Sequence, residues 1–142
     1  MSGPALKQLS SHEAIHNASL DAAISRVDAL KEFARDDKTE LKTFKEACQE
    51  YIEFIEGRIM AHAESEEEQN GLYSECEKER PELHDAIQQL KRDHNIMGQI
   101  ILKMKDDLES NDIDRDQLVD YASSILIVNE IHSRDEELKL LK

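Results

Sequence analysis

Apolar residues recur every three or four positions along nearly the whole chain, in four long blocks parted by short polar breaks, and that periodicity commits it to helices. The first block runs from about Leu6 to Phe33, through Leu9, Ile15, Leu20, Ala23, Val27 and Leu30. Asp36-Asp37-Lys38 breaks it, and Thr39 is the predicted N-cap of the second helix. That helix carries Leu41, Phe44, Cys48, Ile52, Ile55 and Ile59 and continues to a stop at Asn70-Gly71. Tyr73 to Arg80 reads as a polar connector, and Pro81 suits the first turn of a third helix lined by Leu83, Ile87, Leu90, Met97, Ile101, Met104 and Leu108. Ser110-Asn111-Asp112 forms the next turn, Asp114 caps, and Leu118, Ala122, Ile125 and Val128 mark the fourth helix. At about 27 to 31 residues each, the helices would be roughly 40 to 45 Å long. Short breaks after the first and third make those neighbours antiparallel. The expected fold is all-α, an up-down-up-down antiparallel four-helix bundle forming a single domain over residues 1–142.

Composition narrows the function. Aromatic residues are 4% of the chain and Trp is absent, so the core must be mostly aliphatic. A net charge of −14 argues against nucleic acid and against an anionic membrane surface, both of which attract basic patches. No apolar run nears the roughly 18 to 20 residues that span a bilayer. Cys48 and Cys76 form no CxxC, and no signal-peptide pattern is seen, so reduced thiols in a cytoplasmic protein are expected.

Two stretches then stand out, His62-Ala-Glu-Ser-Glu66-Glu67 and His132-Ser-Arg-Asp-Glu136-Glu137. Positions four apart stack on one helix face, so His62 with Glu66, and His132 with Glu136, each present a nitrogen and an oxygen to one point. Both pairs fall on core-facing stripes, where unpaired carboxylates are costly. A metal ion accounts for both.

Antiparallel helices bring residues level when their numbers share a constant sum. Leu108 with Leu118, Ile101 with Ile125, and His94 with His132 share one such sum. Leu30 with Phe44 and His12 with His62 share another, and His16 lies one turn from His12 on the same face. Four helices thus bring histidines to one layer, and two of them add a carboxylate.

This arrangement resembles the hemerythrin, or HHE cation-binding, family. Its pattern is a first-helix His, a second-helix HxxxE, a third-helix His, and a His with a carboxylate on the fourth. Here these are His12 or His16, His62-x-x-x-Glu66, Asp93-His94-x-x-Met97 and His132-x-x-x-Glu136, covering essentially the whole chain. The resemblance implies two iron ions joined by an oxo or hydroxo bridge, with Glu66 and Glu136 bridging and His12, His62, His94 and His132 as terminal ligands. It implies O2 or another small diatomic molecule as the ligand, and a role in binding or sensing it rather than catalysis. Imidazole and carboxylate donors without thiolate suit iron or manganese, with zinc also allowed.

One departure is informative. Oxygen-carrying members place two histidines four apart on the third helix, whereas Leu90 and Gly98 flank His94. One metal is then a nitrogen short unless His16 supplies it, which argues for sensing or reactive chemistry over simple carriage. Gly98 either leaves room for a ligand or lets helices approach closely. Two other roles remain open: a di-iron protein that repairs iron centres or handles NO or peroxide, and a metal-free helical interaction module.

Other candidates are set aside. His12-Glu13-Ala14-Ile15-His16 matches HExxH, but no preceding sheet region forms a protease cleft. A ferritin-like site needs ExxH on two helices, and only Glu13-x-x-His16 fits. His84, about 15 Å along the helix from His94, reads as surface. Glu67, Glu68 and Glu137 read as solvated faces, with Glu67 and Glu137 able to replace the preceding Glu if the helix is locally rotated, and Met97 and Met104 read as core.

Overall fold

The computed structural model describes residues 9–141, so Leu6 lies outside the described residues. Helix α1 spans Leu9–Arg35 and α2 spans Leu41–Phe54. A π-helical turn, Ile55–Met60, joins α2 to α3 at Ala61–Glu67, so these three pieces form the second long rod. Helix α4 is Leu72–Glu79, and a short 3-10 turn at Pro81–Leu83 leads into α5, His84–Glu109; α6 spans Arg115–Leu140. No strand occurs among the described residues.

Local chemistry sets the breaks. Asp114 caps α6 as expected, its carboxylate accepting from the Gln117 N–H at 3.1 Å. Thr39 does not cap α2. Asp36 gathers the local donors instead, the Lys38 N–H at 2.9 Å and the Thr39 hydroxyl at 3.3 Å, and the chain enters α2 through an extended Glu40. Arg115 ties this corner to α6 by donating to the carbonyls of Phe33 and Thr39 at 3.1 and 2.8 Å.

The long helices pack around a shared core. Val27 and Leu30 meet Phe44, Cys48 and Ile55, together with Met97 and Met104 from α5 and Leu118 and Ile125 from α6. Tyr51 is fully buried, and its hydroxyl donates to the Ala122 carbonyl at 2.8 Å, so its polar end is satisfied inside that core. Helix α1 packs against α2 and α6, and α5 packs against α6. None of the described helices is long and apolar enough to cross a membrane.

Two features depart from the sequence reading. The second rod is not one uniform α-helix, because the π-helical turn widens it just before His62. Steps of four residues run ahead of a 3.6-residue turn, and one wider turn absorbs that drift. Ile55, Ile59 and Ala63 consequently all remain buried. The rod also ends at Glu67, short of Asn70.

The second departure is larger. The expected polar connector is helix α4, whose Leu72, Tyr73 and Cys76 point inward at helical spacing. They join Ile87, Leu90 and Leu140 in a second, smaller core. Cys76 is therefore buried rather than placed in a polar loop. Arg80 fastens the segment by donating to the Leu140 carbonyl.

Candidate metal centre

Helix α1 contributes His12 and His16, one turn apart; α3 contributes His62 and Glu66; α5 contributes His94; and α6 contributes His132 and Glu136. These seven side chains converge as two donor groups. One comprises His12, His16, His62, Glu66 and Glu136; the other comprises Glu66, His94, His132 and Glu136. Within each group, one nitrogen or oxygen per residue lies within 4.8 Å of every other. Glu66 and Glu136 belong to both. Both α1 histidines take part, so His12 and His16 are not alternatives.

The interior geometry is unsuited to hydrogen bonding. His12 Nε2 lies 3.3 Å from Glu66 Oε2, His12 Nδ1 lies 3.2 Å from Glu136 Oε1, and His62 Nε2 lies 3.4 Å from Glu66 Oε2. Yet both His12 nitrogens, His62 Nε2, Glu66 Oε2 and Glu136 Oε1 are buried without a hydrogen-bond partner among the described residues. Each such orphan costs roughly 1 to 3 kcal/mol, so five in one place make a poor structural network. Donor atoms turned toward a common point suit a cation.

The outer faces of the rings point the same way. His94 Nδ1 donates to Glu67 at 2.6 Å, His132 Nδ1 to Asp93 at 3.0 Å, and His16 Nδ1 to Glu137 at 3.1 Å. A carboxylate behind an imidazole fixes its tautomer and turns the other nitrogen inward, as metal sites require. The Nε2 atoms of His94 and His132 consequently meet at 3.0 Å. Only a proton or a cation between them relieves two facing lone pairs.

In the metal-free chain that role falls to a proton. Burial opposes charge on His132, but its hydrogen bonds to Asp93 and Glu136 outweigh burial and push its pKa up to about 10. Burial and the charge of His132 hold His94 below the usual histidine range, and burial lowers His12. Glu66 is pushed up to about 8, by burial and by the negative charge of Glu136. Burial also works against the Glu136 carboxylate, yet the facing nitrogens of His132 and His16, at 3.3 and 3.4 Å, hold it well below the usual range. Two carboxylates with opposite displacements mark a site that rearranges its protons when a cation enters.

Several participants escaped the sequence reading. Tyr73 is 2% exposed, and its hydroxyl lies 2.6 Å from Glu136 Oε2, 3.4 Å from His94 Nε2 and 3.5 Å from Glu66 Oε1. Burial and the charges of Glu136 and Glu66 raise its phenol above the ordinary range. The signal was available, since Leu72, Tyr73 and Cys76 already have the spacing of a buried helix face. Glu67 and Glu137 are not simply solvated, because each holds a histidine of the centre. Glu68 stays exposed, and His84 is exposed and paired with Glu77 at 3.0 Å.

Gly98 lines an open outer cavity with Met60, Glu67 and His94 rather than letting two helices approach closely. A Cβ added there would meet only the end of the Met60 side chain, at 3.9 Å. Further room is found in a cavity of about 20 Å³ lined by Ile15, Ile59, Met97 and Asn129 beside the histidines. It is large enough for one water-sized molecule.

Gly71 matters for a different reason. A Cβ there would press on the Ser65 carbonyl and sit 2.8 Å from that of Glu66, both backbone atoms that cannot swing away. Gly71→Ala is expected to displace Glu66 and Tyr73 together, lowering stability by about 1 to 3 kcal/mol. Thermal unfolding and metal titration of the variant check this, and an unchanged Tm with unchanged metal uptake would refute it.

No family model, curated protein or solved structure matches this chain.

Proposed function

We propose that this chain is a hemerythrin-like di-iron protein, with its helices arranged up-down-up-down, that reversibly binds O2 or senses it. The observation that carries the reading is the pair of donor groups sharing Glu66 and Glu136, with five buried atoms lacking hydrogen-bond partners. Two carboxylates common to two histidine clusters suit a pair of ions roughly 3.5 to 4 Å apart. His12, His16 and His62 would hold one ion, His94 and His132 the other. Bound iron would supply the redox chemistry toward O2.

The donor set favours iron or manganese over softer metals, because neither cysteine takes part. Burial pushes the Cys48 thiol up to about 12, which leaves it an inert core group. The protein's remaining contribution is enclosure. Ile15, Ile59 and Met97 make an apolar side to the small cavity, while Asn129 adds an amide. A space of that size suits a small diatomic ligand. His16 brings the first group to three imidazoles, while the second, which holds the third-helix His94, keeps two.

The test is anaerobic loading with Fe(II) followed by controlled admission of O2. About two irons per chain are expected, with a visible charge-transfer band that grows with O2 and fades on degassing. Irreversible oxidation would overturn reversible binding, and one tightly held zinc per purified chain would overturn the di-iron reading.

A further inference from the structure

We propose that Tyr73 is itself a metal ligand, its phenolate oxygen occupying a coordination position beside Glu66, His94, His132 and Glu136. This rests on the reading of the cluster as a metal centre and goes beyond it, because the histidine and carboxylate pattern assigns no phenol. The two donor groups are unequal. The first has five residues and the second four, all shared or contributed by α3, α5 and α6. Helix α5 supplies only His94 to the second group, and no α1 histidine belongs to it.

The phenol sits where the missing donor would be. Ligands about 2.0 to 2.2 Å from one ion lie about 3 Å from their neighbours. Within the second group His94 and His132 are 3.0 Å apart, His132 and Glu136 3.3 Å, and His94 and Glu66 3.6 Å. The Tyr73 oxygen extends this set at matching spacing, 2.6, 3.4 and 3.5 Å from Glu136, His94 and Glu66. A residue that merely filled space would not need its only polar atom there.

The placement is also held from behind. The Tyr73 ring stacks on that of His94 at 5.8 Å and an interplanar angle of 14°. Leu72 and Cys76 anchor α4 in the smaller core on either side of Tyr73 in the helix. Close packing of Gly71 against the carbonyls of Ser65 and Glu66 fixes the start of α4 beside the ligand-bearing end of α3. The helix therefore carries its phenol into the centre with little freedom to withdraw.

Ligation exchanges the O–H bond for an oxygen–metal bond. The phenolic proton leaves to solvent, one per chain, and no electron changes hands. Hydrogen bonding to Glu136 in the metal-free chain ends when that carboxylate turns to the ions.

The experiment uses the full chain and Tyr73→Phe. Both are loaded anaerobically with two equivalents of Fe(II), then oxidised by an outer-sphere one-electron oxidant so that O2 plays no part. The wild type is expected to show a visible phenolate-to-Fe(III) band whose resonance Raman spectrum carries tyrosinate ring modes. Tyr73→Phe should lose those modes while keeping at least about four-fifths of the iron. Tyr51 and Tyr121 do not confuse the result, being engaged with the Ala122 carbonyl and with Gln117 respectively.

Two irons per chain with no tyrosinate modes in the wild type would overturn the ligand while leaving the metal centre standing. Modes that persist in Tyr73→Phe would overturn it too. If the variant binds no iron, ring-deuterated tyrosine in the wild type decides, a shift of the modes supporting the proposal and its absence ending it. A wild-type chain that binds no iron at all would instead defeat the reading on which the proposal rests.

Discussion

Glu66→Gln is expected to empty the metal centre and, at the same time, to stabilise the metal-free chain. Glu66 belongs to both donor groups, so on the di-iron reading its loss would reach both ions, unlike loss of His94, which belongs to one. Metal content measured by elemental analysis should fall from about two per chain to under about half of one. The stability effect runs the other way. Burial and the Glu136 charge push the Glu66 carboxyl up to about 8, so at neutral pH folding must hold a proton on it. An amide has the shape of the protonated acid and needs no proton. Replacing a buried carboxyl that folding must keep protonated by a neutral group of equal size stabilises, here by about 1 to 3 kcal/mol. A hydrogen-bond network kept for structure would respond oppositely, so a lower Tm in the metal-free variant would count against the metal reading.

Metal should change not only how stable the chain is but how stability varies with pH. A metal ion at about a thousand times its Kd adds about 4 kcal/mol, which raises Tm by roughly 10 °C or more in a chain of this size. The signs for the metal-free chain follow from five groups, of which His12 and His94 are lowered, so each costs stability only as pH falls below the ordinary histidine value of 6.5. His132 is raised to about 10, so its contribution is complete below the ordinary histidine value of 6.5 and is lost as pH climbs through 10. Glu66 is raised from 4.5 to about 8, so the folded state holds a proton the unfolded one has released, and stability falls across that interval. Glu136 is lowered, so its contribution is present above 4.5 and is lost only in acid. The metal-free chain should therefore be most stable near pH 5 to 6.5 and lose on the order of 5 °C in Tm by pH 9. Loaded protein should show the reverse slope between pH 6 and 8, since ions compete with protons for the same atoms. Melting curves of chelated and loaded protein across this range test it, and parallel slopes would refute it.

Much of this centre was legible in the chain because it is written in helical spacing. His62 with Glu66 and His132 with Glu136 need only a four-residue step, and pairing by constant sums put His94 opposite His132, where the rings do lie 4.5 Å apart. The same sums put His12 level with His62 and His16 one turn off, and the structure brings both into one donor group. What escaped depends on departures from regularity. The π-helical turn leaves little trace beyond Gly57, a residue that weakens an ordinary helix by about 1 kcal/mol. Helix α4 is so charged on its outer side that its three inward residues read as incidental. Thr39 lost its capping role to a competing turn at Asp36, a contest between neighbours that composition cannot rank.

The meeting of α1 with α6 has a consequence for assembly. His16 and Glu137 touch across 121 positions of sequence, and His12 reaches Glu136 in the same place. Loop-closure entropy makes such distant encounters late events in folding, after the local pairs of helices have formed. A partly folded chain thus has no complete pocket, and an ion would find its full set of donors only when the first and last helices have docked. Uptake then acts as a latch on the finished molecule. A cation would then be accepted only by a chain able to enclose it.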